Sequence, residues 1–264
     1  MLGFAALVPH SPLLIPAIGK ERTLMLAKTL TAYQTIGQEL RAGKPDSVLI
    51  LTPHGSTAAN DAFTLSISPN YRSNFREFGD LQTALEVKPD LHLLEALRRI
   101  KFGKSGLAIQ GITEKYIDYG AAVPLYLLAQ YLPDIRAALM RNAGLSARAH
   151  FKMGKHIAEV LQNHRKRVAV IASADLSHTL TDSAPGGFQP EGKKFDETVV
   201  QAIRKNEPEK IFKLENRAEK AKTCGLGVLA MLFGILRDIN YAPDLLAYEG
   251  PFGVGYLTAK FNFS

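Results

Sequence analysis

Three short apolar runs, each ending within a few residues of a histidine, constrain this chain more than any other feature. Residues 4–8 lead to His10, residues 48–51 to His54, and residues 168–172 to Asp175 and His178. Runs this short, bounded by proline, glycine or serine, read as buried strands rather than helices. In an open α/β sheet the carboxyl ends of parallel strands share one edge, and ligands bind there. Histidines delivered to that edge from distant parts of the chain can meet in one crevice, as raw material for a metal or acid–base site.

Because these residues come from both ends of the chain, all 264 residues are expected to form one domain, 1–264. With 46% hydrophobic and 22% charged residues the composition is globular and supports a large core. Cys224 is the single cysteine, so no intramolecular disulfide can form, and the start of the chain lacks a lysine-led apolar leader. A reducing, cytoplasmic setting is the expectation. The opening MLGFAALVPHSPLLIP is apolar but is broken by His10 and by Pro9, Pro12 and Pro16, well short of the roughly 20 residues of a membrane helix. Formal charge is +7, densest at His164, Arg165, Lys166 and Arg167. Without interleaved aromatics or a nucleic-acid motif, that cluster reads as a cationic helix end. Neither a nucleic-acid nor a membrane partner is expected.

Along the chain, the spacing predicts a helix over 21–40 and a strand over 47–52, which together with the first strand make a right-handed βαβ unit. A strand over 63–67 follows, then a polar loop over 69–80 carrying Tyr71, Phe75 and Phe78, a helix over 81–99 and a strand over 106–109. Residues 121–132 read as a buried helix, 133–144 are ambiguous, and Ser146 is an N-cap for a helix running to about His164. Residues 179–192, with two prolines and three glycines, are a candidate mobile connection or lid. Helices over 195–205, 209–216 and 226–239 and strands over 245–248 and 254–261 complete the chain.

His92, His150, His156 and His164 fall within or at the ends of helical stretches and read as structural. Pro9-His10-Ser11-Pro12 and Pro53-His54-Gly55 are locally alike: proline holds the preceding residue extended, so the strand ends where the imidazole projects. Two imidazoles with a carboxylate or thiolate bind zinc, iron or copper and leave positions open for substrate. Asp175 and His178, three apart, can share a site if their segment enters a helical turn, and a carboxylate beside an imidazole suits a general base. Cys224 precedes a buried helix, whose positive end lowers a thiol pKa. It reads equally as a metal ligand, a nucleophile or a small buried residue. Glu249 is the best-placed carboxylate of the tail.

Taken together, PHSPLLIP, LTPHG near 50, SADLSH near 175, CGLG near 225 and YEGPFGVGYL near the end resemble the LigB-type class III extradiol dioxygenase superfamily, which includes the Memo-like proteins. The resemblance spans nearly the whole chain. It implies a single α/β domain with a central, largely parallel or mixed β-sheet flanked by helices. It also implies a non-haem Fe(II) held by two histidines and a glutamate, zinc or copper being the alternatives, with a further histidine for proton transfer. On this chain His10 and His54 match the metal-binding histidines and His178 the acid–base histidine, with Asp175 orienting it. Where ring-cleaving enzymes place the glutamate, this chain has Cys224, similar to the metal-binding cysteine of Memo-like proteins, and Glu249 is the alternative ligand or a supporting group. Tyr119 stands where many relatives carry a histidine. It can donate a hydrogen bond to an oxygen ligand, but with an ordinary pKa of about 10 it is no base at neutral pH. The implied partners are a catechol-like or aminophenol-like substrate and O2, together with a second copy of the chain or a small partner subunit. Two rival readings are a Memo-like metal-binding or protein-interaction module without ring cleavage, and zinc-dependent hydrolysis.

Overall fold

Apolar runs that are buried on both faces need helices on both sides, and the architecture follows from that requirement. The computed structural model describes residues 1–55 and 60–264. In chain order the strands are β1 (Leu2–Val8), β2 (Ser47–Thr52), β3 (Phe63–Ser66), β4 (Tyr71–Phe75), β5 (Asp80–Pro89), β6 (Ile109–Ile112), β7 (Arg136–Arg141), β8 (Val168–Ser173), β9 (Tyr241–Glu249) and β10 (Tyr256–Phe263). The α-helices are α1 (Pro16–Gly19), α2 (Ala27–Gly43), α3 (Leu91–Arg98), α4 (Tyr119–Ala129), α5 (Ala147–Asn163), α6 (Pro190–Arg204), α7 (Glu215–Lys220) and α8 (Leu226–Leu236).

One mixed sheet runs β4-β5-β7-β2-β8-β1-β10-β9, with β3 pairing β7 and β6 off that path. Its centre, β5-β7-β2-β8-β1, is parallel, and antiparallel pairs close both ends. Side chains alternate between two cores. Leu7, Leu49, Leu51, Met140 and Val170 face α3, α5, α6 and α8, whereas Val8, Val48, Ile50, Leu139 and Ile171 face α1, α2 and α4. The two helices α5 and α8 approach through bare backbone: a Cβ built on Gly154 would fall 2.1 Å from the Met231 carbonyl oxygen, and one on Gly234 2.2 Å from that of Phe151. Among the described residues no helix is long and apolar enough to cross a membrane.

The α/β class and the mixed sheet agree with expectation, while several local assignments change. β1 and β2 do not pair directly, because β8 lies between them and bonds to both. Residues 81–99 are not one helix. Apolar spacing there fits either period, but Pro89 cannot donate within a helix, and Asp90 caps α3 by accepting from His92 and Leu93 N–H groups, so β5 ends and α3 begins at that point. The polar loop expected over 69–80 contains β4, and the ambiguous 133–144 stretch contains β7, whose terminal Arg141 is buried by its ion pair with Glu114. The first turns of the helix expected over 21–40 are 3-10, and α2 starts only at Ala27. Residues 179–189 are not a free lid. Leu180 N–H donates to the Gly253 carbonyl and Gly186 N–H to the His178 carbonyl, which ties the segment to its neighbours, and Gln189 N–H donates to the Thr179 carbonyl, which closes the segment on itself.

Candidate metal centre

Strand register places the site. Val8 pairs with Ser173, and Leu51 pairs with Ala172, so β1, β2 and β8 end level with one another. Pro9 and Pro53 then turn the chain out of the sheet on either side of β8, and His10 and His54 follow. The exit of β1 is held firmly: the Tyr33 hydroxyl donates to the Pro9 carbonyl (2.5 Å), Ala174 N–H donates to the Val8 carbonyl (2.9 Å), and His10 N–H donates to Asp175 Oδ1 (2.9 Å).

From these exits and from the residue ahead of the α8 cap, the ligand atoms of His10, His54 and Cys224 come within 4.8 Å of one another. The His10 ring meets the His54 ring edge-on, centroids 4.9 Å apart. Cys224 Sγ lies 3.6 Å from His10 Nε2, and Asp175 Oδ2 is also 3.6 Å from that nitrogen. Tyr119, the first residue of α4, stacks on His54 at 4.9 Å, with its hydroxyl 3.4 Å from His54 Nε2, and its ring is nearly perpendicular to that of Phe78, centroids 5.4 Å apart. A cavity of about 680 Å³ reaches Cys224 between Asn142, Ser146, His150 and Thr223.

The electrostatics follow from burial. Desolvation, then the neighbouring His178, pushes His10 down to about 3. Desolvation, then His10, pushes His54 down to about 4. Both imidazoles are therefore neutral at physiological pH and keep a lone pair for a cation. Burial raises Asp175 to about 6 against the opposing His10 N–H. The Cys224 thiol is pushed well up by burial, contrary to the helix-dipole expectation: Gly225 is the cap of α8, so Cys224 lies outside the helix in a desolvated position. Two neutral imidazoles and a part-buried thiol suit a borderline or soft ion such as Fe(II), zinc or copper, and suit magnesium or calcium poorly.

The other candidate residues fall into place unevenly. His178 N–H at Nδ1 donates to the Leu176 carbonyl (3.0 Å), which leaves Nε2 as an acceptor. The segment carrying it does not enter a helical turn, and the Asp175 carboxylate bonds to His10 rather than to His178. Burial raises the Tyr119 phenol, which stays a donor. Glu249 does not join the cluster. Its Oε1 accepts from both the backbone N–H and the hydroxyl of Thr29 (2.8 and 2.6 Å), in the first turn of α2, where Leu26 has no side chain able to cap. His150 is structural, accepting from Ala143 N–H and bonding the Ser146 carbonyl.

Two buried residues have roles that the sequence alone does not disclose. Ser173 Oγ lies 2.8 Å from His10 Nδ1. Asp196 on α6 accepts from Ser177 N–H (2.8 Å) and the Tyr248 hydroxyl (2.7 Å), bracing the turn that presents His178, and burial raises it to about 6. Ser173 opens the SADLSH motif but carries no local mark of its contact with His10, whereas Asp196 stands in no motif, and a carboxylate inside an amphipathic helix ordinarily marks its solvent face.

Comparison with known proteins adds three findings. The family described as the catalytic LigB subunit of aromatic ring-opening dioxygenase matches residues 4–259. Protein CA_C1420 of Clostridium acetobutylicum is 28% identical over 263 residues, covering 96% of this chain and 56% of that protein, so the chain spans about half the length of this curated relative. The crystal structure of uncharacterized protein JW3007 from Escherichia coli K12 matches with a TM-score of 0.68 over 97% of this chain and 98% of that one, at 15% identity, which is a likeness of fold.

Proposed function

The chain belongs to the LigB family of aromatic ring-opening dioxygenase catalytic subunits, and on that premise we propose that it is a metal-dependent enzyme opening a catechol-like or aminophenol-like ring with O2. The observation that carries the proposal is the convergence of His10, His54 and Cys224 within 4.8 Å, with both imidazoles held neutral by burial. These three residues would hold the ion, Fe(II) in the first instance, within one LigB-like domain over 1–264. When bound, such an ion supplies Lewis acidity toward a substrate oxygen and one-electron chemistry with O2.

The protein's own groups supply the rest. His178, with Nδ1–H fixed on the Leu176 carbonyl, offers Nε2 to receive a phenolic proton. Tyr119, protonated and stacked beside His54, donates to a substrate or oxygen atom. Asp175 fixes the His10 backbone and holds carboxylate charge 3.6 Å from the His10 ring, rather than orienting His178. A reducing compartment suits both the thiol ligand and a ferrous ion.

One observation favours a second reading, a Memo-like metal-binding module without ring cleavage: the third donor is the Cys224 thiol, while Glu249 is engaged by Thr29. A soft thiolate favours copper(I) or zinc. Metal content of anaerobically purified protein, followed by O2 consumption over a panel of catechols and aminophenols after ferrous loading, separates the two. Stoichiometric metal that is lost in His10→Ala/His54→Ala protein, with O2 uptake matching loss of the ring, is the expected result. Metal without O2 uptake selects the second reading, and wild-type protein that takes up no metal rejects both.

A further inference from the structure

In an α-helix the carbonyl of one residue accepts from the N–H four residues later. α4 carries Pro124 in its interior, four residues beyond Gly120. Proline has no N–H, so the Gly120 carbonyl lacks that partner. The Ser173 hydroxyl, fully buried at the end of β8, makes a short contact with the Gly120 oxygen. A carbonyl oxygen can only accept, so the hydroxyl hydrogen lies on this contact. A serine has one such hydrogen. Toward its other neighbour, His10 Nδ1 at 2.8 Å, Ser173 Oγ can therefore only accept.

We infer that Ser173 is the positioning residue that sets the tautomer of His10, and that Pro124 frees the carbonyl on which Ser173 is anchored. The imidazole proton sits on Nδ1, and Nε2, 3.6 Å from Cys224 Sγ, keeps its lone pair toward the cluster. The same Gly120 backbone packs on the second histidine: a Cβ built at Gly120 would lie 3.0 Å from His54 Cδ2 and 2.7 Å from Thr52 Oγ1. Gly120 thus leaves no room for a side chain beside His54, and its carbonyl reaches His10 through a single hydroxyl. That Nε2 ligates a metal rests on the proposed function, whereas the tautomer does not.

Long-range proton–nitrogen correlation spectra of the full 15N-labelled chain, metal-free at about pH 7.5, test this, with His10 assigned by comparison with His10→Gln. The expected wild-type pattern is a protonated Nδ1 and a bare Nε2, and Ser173→Ala is expected to shift His10 toward the Nε2–H form that free histidine prefers. Pro124→Ala, which returns a helical N–H to the same carbonyl, is expected to weaken the wild-type preference, and no change there removes Pro124 from the account. Cobalt(II) affinity is expected to fall roughly 10- to 100-fold in Ser173→Ala. A wild-type Nε2–H pattern, or an Nδ1–H pattern that survives in Ser173→Ala, overturns the inference. An Nδ1–H pattern in protein that takes up no metal would retire the proposed function and leave this inference standing, and an Nε2–H pattern with stoichiometric metal would do the reverse.

Discussion

Asp196 offers a quantitative test of how burial acts near the centre. Its carboxylate is fully buried and accepts two hydrogen bonds, yet desolvation outweighs them and raises it from 3.8 to about 6. An aspartate in the unfolded chain titrates at about 3.9. Between about pH 4 and pH 6 the folded protein therefore holds a proton that the unfolded chain has released, and stability falls as pH rises through that window. The stabilising contribution is complete below the unfolded value and gone above the folded one. A displacement of roughly two pH units at about 1.36 kcal/mol each sets a ceiling of about 3 kcal/mol. In the Asp196→Asn variant the side-chain amide cannot titrate, keeps an acceptor for Ser177 N–H, and can donate to the Tyr248 oxygen. Urea unfolding of both proteins at steps between about pH 4 and pH 7.5 isolates the effect, because every other group cancels in the difference. The variant is expected to gain on wild type by about 2–3 kcal/mol across the window. A difference flat to within about 0.5 kcal/mol, or one of opposite sign, refutes the reasoning.

Three further outcomes follow from the described geometry. With His10 and His54 neutral and the Cys224 thiol protonated, binding one divalent ion at about pH 8 should release one proton per site in wild type and none in Cys224→Ser; calorimetry in two buffers of different ionisation enthalpy counts them, and two protons would mean a charged imidazole. Gly234→Ala should force α5 and α8 apart, since its Cβ would lie 2.2 Å from the Phe151 carbonyl oxygen. Overpacking of about 1–3 kcal/mol corresponds to a fall in Tm of roughly 2–12 °C for a domain of this size, read by scanning calorimetry. Glu249→Ala should cost about 1 kcal/mol by uncapping α2 while leaving metal stoichiometry intact, and loss of metal would return Glu249 to the ligand set.

What could be read from the sequence was what depends on neighbours in the chain. Residues 4–8, 47–52 and 168–173 are apolar on both faces and end at proline or serine, so both the strands and the histidines beyond them were legible. Ser146 announced α5 because capping is a local bond. The failures needed partners far away. β7 hides behind Arg136 and Arg141, and the second of these is compatible with burial because it pairs with Glu114, distant in sequence. The carboxylate of Glu249 pointed by chemistry to the centre, but Thr29, distant in sequence, claims it. Cys224 lies beside the two histidines, but its thiol runs against the helix-dipole expectation, since desolvation depends on everything packed around it. The role of Ser173, although that residue opens SADLSH, was not legible because it arises from a proline missing an N–H on α4.

The insertion of β8 between β1 and β2 carries a consequence for assembly. Neither early strand has the other as a neighbour, so the first quarter of the chain must wait for residues 168–173 before its part of the sheet can close. Pairings this distant pay a large loop-closure cost and slow the search for the native state. A metal that requires His10, His54 and Cys224 together would then engage a chain in which β1, β8 and β2 have met and α8 has docked, and the free energy of its binding would add to the stability of that form.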